Sequence, residues 1–293
     1  MSITKVFAAL AVIVTAGVWS FGSTHNHHLC DGFVEDNDLW IPDMGIMQDY
    51  GLDEATFHEV LDRIEELYRP IVSARGGQLR VVRNWPDGTV NAYARRLGRI
   101  YEISMFGGLA RHPSITADGF ALVACHEMGH HLGGAPKINN IFNRWASNEG
   151  QSDYYASLKC LREYYTPESN LEWLEGREVS ESVLEACTHS FEELQEQISC
   201  MRSSYAGLSV AYLFQDLRKE NNPPQFHTPD PSTVSRTDDR HPGTQCRLDT
   251  YFQGAICDRP TDEDLNDSNY RQGTCTRVAG YSEGVRPLCW FSP

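Results

Sequence analysis

Apolar residues recur at helical spacing between Leu52 and Tyr68 (Phe57, Val60, Leu61, Ile64, Leu67), and Pro70 with Gly76 and Gly77 closes that stretch. Leu79–Trp85 then reads as a strand and Pro86-Asp87-Gly88 as a turn. Two further strand-like runs follow, Thr89–Arg95 and Arg99–Met105. In the second, Tyr101, Ile103 and Met105 alternate with Glu102 and Ser104, which predicts one buried and one wet face. After Gly107 and Gly108, either Ser114 or Thr116 is placed to cap a helix that runs to Leu132 and stops at Gly133 and Gly134. The pattern predicts another helix over about Trp145–Tyr165, an acidic helical segment over 161–200, and a helix over Gly207–Lys219. A Pro/Asp/Thr-rich loop spans 221–240, and a turn-rich tail begins at His241. The fold class expected is α+β: mainly helical, with a small sheet beside the 116–132 helix and a C-terminal tail tied by disulfides.

The first residues have a pattern of their own. Lys5 is the only charge among residues 1–23, and an apolar run extends from Val6 to Trp19, with Ser20 and Gly22 at the −3 and −1 positions of a signal-peptidase site. That run is short against the roughly 20 residues of a spanning helix, so residues 1–23 are expected to be a cleaved export signal. No further apolar span follows, so no stable membrane span is expected after cleavage. The expected location is periplasmic or secreted. Nine cysteines fit an oxidising compartment. Cys125 lies in an apolar helical run and reads as a buried free thiol. The other eight could form four disulfides in connectivities that sequence does not separate, with short-range pairs such as Cys275–Cys289 among them.

Composition narrows the class. With 293 residues, 41% of them hydrophobic and 22% charged, the chain can bury a full core. A net charge of −15 argues against nucleic acid as a partner. The ten glutamates against two arginines in 161–200 mark an acidic insert within a domain spanning 24–250, and residues 251–293 form the cysteine-rich tail.

His126-Glu127-Met128-Gly129-His130 is H-E-x-x-H within a predicted helix. Residues four apart share a helix face, so both imidazoles reach one Zn²⁺ while Glu127 stands at the position of a bound water. Nineteen positions after His130, Glu149 is the natural third ligand. Asp153, four residues further on, can accept a hydrogen bond from the far nitrogen of a ligating histidine. One zinc per chain is expected, with Glu127 as general base. His131 lies about 100° round the helix from His130 and reads as structural. His25, His27 and His28 read as part of a new N-terminus.

These residues resemble a family. H-E-x-G-H followed by E-x-x-[AS]-D-x-x-A (Glu149 through Ser152, Asp153 and Ala156) is similar to the gluzincin metallopeptidases of the CAAX prenyl protease type I and HtpX family. Asn91-Ala92-Tyr93-Ala94 resembles that family's N-A-[FY]-A strand, Gly107-Gly108-Leu109 its G-L-L step, and Arg240-His241-Pro242 with Arg247 its T-H-P-x-x-x-x-R. Arg240 stands where the family has Thr, and the acidic insert and cysteine-rich tail have no counterpart. The resemblance implies a zincin-type domain that hydrolyses peptide bonds of extended or unfolded protein segments. It also implies that His241 donates to the oxyanion and that Arg247 orients this loop or pairs with an acidic group near the site. Substrate would pair with an edge strand, Asn91–Arg95 or Arg99–Met105, and the family pattern favours Asn91, Ala92 and Tyr93. Two other readings compete with an active peptidase. One is a zinc-containing chaperone or assembly factor; the other is a latent protease plugged by the acidic insert or by the 221–240 loop.

Overall fold

The computed structural model describes residues 32–45, 50–141 and 143–293. The expected signal segment, the His25, His27 and His28 cluster and Cys30 lie outside the described residues.

Helix α1 (Glu54–Ala74) starts where the Asp53 carboxylate accepts the Thr56 N–H, and it buries Phe57, Val60, Leu61, Ile64, Tyr68 and Val72. It runs on past Pro70, where the sequence predicts an end. Pro70 sits on the exposed face, and Val72 draws the last turn into the core. Strands β1 (Gln78–Asn84), β2 (Ala92–Leu97) and β3 (Ile100–Phe106) form one sheet in the order β1-β3-β2, with β3 parallel to β1 and antiparallel to β2. The Arg99–Met105 segment is therefore the central strand and offers no free edge. Glu102, expected on a wet face, is 2% exposed because Arg80 and Arg95 flank it across the register and close over its carboxylate.

A single turn, α2 (Gly107–Ala110), leads to α3 (Ala117–Leu132), which Thr116 caps by accepting the Gly119 N–H. From Gly119 onward every residue of α3 is buried. It is the central helix, enclosed by α1, the sheet and the helices that follow. α4 (Glu149–Tyr155) begins four residues later than the pattern predicts. Residues 135–141 and 143–148 lie in a loop that is bridged at Lys137 and Ser147 and anchored by Trp145 stacked on His131. The helix continues through a π turn at Ala156–Cys160 into α5 (Leu161–Tyr164).

The acidic segment forms α6 (Pro167–Leu174) and α7 (Glu181–Ser190), both packed on α8 (Leu194–Arg218). Val183, Cys187, Phe191, Cys200 and Met201 form a small second core, to which Ala255 and Ile256 also contribute. The stretch from His241 departs from expectation: Thr244–Ala255 is a helix, α9, that packs against α8 and α4 and spans the boundary expected at residue 250. Its inward face carries Arg247, Thr250 and Asp249, so a hydrophobic period is hidden in the sequence. Among the described residues no helix is long and apolar enough to cross a membrane.

Among the described residues four disulfides join Cys125–Cys160, Cys187–Cys200, Cys246–Cys289 and Cys257–Cys275. Two expectations are corrected. Cys125 is no free thiol, because its place on α3 faces the π turn that carries Cys160, with Cα atoms 5.5 Å apart. Cys289 pairs with Cys246 and not with Cys275, because the final residues fold back over α4 and α9. Trp290 is buried there, its indole N–H 2.9 Å from Thr250 Oγ1. A side chain at Gly150 would meet that ring at 2.2 Å, so the tail bears directly on the first turn of α4.

Candidate metal centre

α3 and α4 cross with little space between them. A Cβ at Gly129 would stand 2.9 Å from Ser152 Cα, so the glycine between Glu127 and His130 is what lets the two helices approach. At this crossing His126 Nε2 lies 3.3 Å from Glu149 Oε2, and His130 Nε2 lies 3.5 Å from Glu149 Oε1. A tetrahedral zinc with bonds of about 2.0–2.2 Å needs ligand atoms about 3.3–3.6 Å apart. The two nitrogens and Glu149 Oε2 are buried without a hydrogen-bond partner, which fits a shared cation. The two rings meet edge to face, their centroids 4.7 Å apart.

The far side of each ring is held. His126 Nδ1 is 2.7 Å from Asp153 Oδ1, and His130 Nδ1–H donates to the Ser147 carbonyl at 2.8 Å, with Ser152 Oγ 3.0 Å away. Asp153 also receives Arg247 Nη2 at 2.5 Å and the Tyr251 hydroxyl at 2.8 Å. Asp153 and Arg247 thus act together on His126, and Arg247 pairs with the buried carboxylate. Tyr251, one helical turn after Arg247, completes the set; its i,i+4 spacing on α9 is the signal that the sequence reading passed over.

Glu127, next to His126 on α3, is fully buried, and neither of its oxygens has a hydrogen-bond partner. Burial pushes its carboxyl up to about 8. Burial opposes the charge on His126, yet Asp153 outweighs it and raises the imidazole to about 9; burial draws His130 down to about 4. Burial also acts to raise Glu149, but His130, His241 and His126 outweigh it and hold that carboxyl well below its usual range.

His241 lies at the rim, its Nε2 3.4 Å from Glu149 Oε2 and donating to the Gly32 carbonyl at 2.8 Å. Asn91, Ala92 and Tyr93 are beside the site, but the entry to the β2 edge is taken. Phe33 N–H donates to Ala92 O, and the Asn91 side chain bonds both backbone groups of Val34. Tyr93 hydroxyl accepts from Asn91 Nδ2 at 3.2 Å. His131 is apart from the cluster: its Nε2–H donates to Glu102 O while Nδ1 accepts from Arg96. The end of the 221–240 loop reaches the rim, where Asp238 O and Asp239 Oδ1 take Asn148 Nδ2. The chain matches no family model, no curated protein and no solved structure.

Proposed function

We propose that this chain is an exported zinc-dependent endopeptidase with a zincin-type site of the gluzincin kind, acting on extended protein segments. The observation that carries the reading is a buried, unpaired Glu127 carboxylate beside three converging ligand atoms from His126, His130 and Glu149. A structural zinc site has no use for a general base and closes its fourth position with Cys or His. Among the described residues those three side chains form such a group; the next histidine, His241, reaches Glu149 but gives its Nε2–H to the Gly32 carbonyl.

A zinc ion held there supplies Lewis-acid polarisation of a water and of a peptide carbonyl. Glu127 takes the proton of the attacking water and returns it to the leaving amine, a role that suits a carboxyl raised by burial. His241 Nε2–H, which already holds a carbonyl oxygen, donates to the substrate carbonyl as negative charge builds on it. Asp153, held by Arg247 and Tyr251, fixes the His126 ring with Nε2 turned to Glu149, where the two would hold a zinc ion.

Metal analysis and casein cleavage test this reading. Wild type and Glu127→Gln should each hold about one zinc per chain, with cleavage at least about a hundredfold slower in the variant. Equal cleavage rates would overturn the role of Glu127. Retention of zinc by Glu149→Ala would overturn the ligand set.

A further inference from the structure

The segment Gly32–Val34 meets the site in the manner of a peptide ligand. The Gly32 carbonyl receives His241 Nε2–H at 2.8 Å, on the donor assigned above to the substrate carbonyl. The Phe33 ring is fully buried, edge-on to the His126 ring at 4.9 Å and also against Phe214, with the Arg247 guanidinium 4.6 Å from its centroid. The Phe33 carbonyl takes Arg247 Nη1–H at 2.9 Å. The backbone runs antiparallel to the residues that lead into β2: Phe33 N–H bonds Ala92 O, Asn37 Nδ2 bonds Val90 O, and Ile41 N–H bonds Gly88 O. Adding a strand to a sheet edge, with one side chain in a pocket, is how extended peptides are recognised.

Phe33 and Val34 are part of the main core, and the turn of the Gly32 carbonyl adds a requirement of its own. Gly32 has a φ of +80°, and a Cβ there would lie 2.8 Å from Tyr93 Cε1 and 2.9 Å from Asn91 Nδ2. Only glycine lets the carbonyl turn onto His241 at such close range.

We infer that Gly32–Phe33–Val34 occupies the place of the substrate. The site takes an extended peptide in which a small residue precedes an aromatic one, and the chain's own segment holds it closed. Hydrolysis of such a peptide adds the water oxygen to the carbonyl carbon of the small residue. The protons go to the amide nitrogen of the aromatic residue, and the C–N bond breaks. This inference deepens the peptidase reading and rests on it for the identity of the reacting bond.

The test is binding of a fluorescent peptide, Ala-Gly-Phe-Val-Asn-Ala, to zinc-loaded Glu127→Gln protein with Gly32 intact and with Gly32→Ala. The added methyl expels the segment, and the peptide should bind about tenfold more tightly to Gly32→Ala. The same peptide with Asp in place of Phe should not bind. Equal affinity for both proteins, no binding to either, or equal binding of the Asp peptide overturns the inference. If Gly32→Ala does not fold, Asn37→Ala loosens the same segment at Val90, away from the site, and should give a gain of about two- to threefold; no gain is again fatal. Binding that follows this pattern, with no hydrolysis when Glu127 is present, overturns the peptidase reading and leaves the occupancy standing. Casein cleavage with no gain in peptide binding does the reverse.

Discussion

Asp153 Oδ1 and His126 Nδ1 stand 2.7 Å apart, and neither side chain has any exposure to solvent. Burial raises the cost of a charge on either one. Arg247 is the main counterweight at Asp153, and with His126 it holds the carboxyl below its usual range. The chain of contacts thus runs from α9 through α4 to α3, and it ends on the His126 ring, whose other nitrogen, Nε2, is the one that would carry a metal.

Asp153→Asn keeps the size of that side chain and removes its charge. Zinc affinity should fall about 10- to 100-fold, measured by competition with a chromophoric chelator. Arg247→Met leaves Asp153 buried and short of its cation, and should cost about 3–5 kcal/mol in denaturant unfolding. Unchanged zinc affinity in Asp153→Asn would show that this contact does not orient the ligand.

Cys125 directly precedes His126, and Cys160 lies seven residues after Asp153, so their bond ties together the two helices that carry the proposed ligands. It closes a sequence separation of 35 residues, which corresponds to about 4 kcal/mol of lost unfolded-state entropy. The Cys125→Ser, Cys160→Ser double variant should lose about 2–4 kcal/mol of stability and bind zinc more weakly. The Cys187–Cys200 bond, placed in the acidic helices, supplies the comparison: its double Ser variant should lose stability and keep wild-type zinc affinity.

Gly129→Ala puts a methyl group within 3.0 Å of both the Cα and the carbonyl oxygen of Ser152. Backbone cannot yield as a side chain does, so α4 must move, and Glu149 is one turn away. The expected loss is about 1–3 kcal/mol of stability together with weaker zinc binding. Gly176→Ala, in open space although at positive φ, is the control that should leave zinc affinity untouched.

The grouping of these side chains was legible because a helix fixes the spacing of polar residues set inside an apolar run: His126, Glu127 and His130 on α3, Glu149 and Asp153 on α4. The strands, the central helix and its cap, read as Ser114 or Thr116 and found at Thr116, were legible for the same local reason, with ends shifted by a few residues where tertiary packing prevailed. α9 was hidden because its inward face is polar. Phe33 reaches Arg247 across 214 residues of sequence, and no local pattern reports such a contact. Cys125 shows a further limit, since a buried thiol and a buried half-cystine lie in the same apolar surroundings and read alike.

Asp249, on the helix that carries Arg247, gives a pH dependence that can be tested away from the ligands. Burial raises its carboxyl to about 6, against the hydrogen bonds from the Asp230 N–H and Gln245 Nε2, both at 2.7 Å. A carboxyl raised above its unfolded value of 3.8 contributes stability in full below that pH, and the contribution is lost as pH rises through about 6. A shift of that size corresponds to at most about 3 kcal/mol, and to about 1–2 kcal/mol after solvent screening. Asp249→Asn should therefore raise the melting temperature at pH 7–8, and give no gain near pH 4, where the wild-type carboxyl is already neutral. Melting curves across that range decide the matter: an equal offset at both ends would show that packing, and not ionisation, sets the cost of this residue.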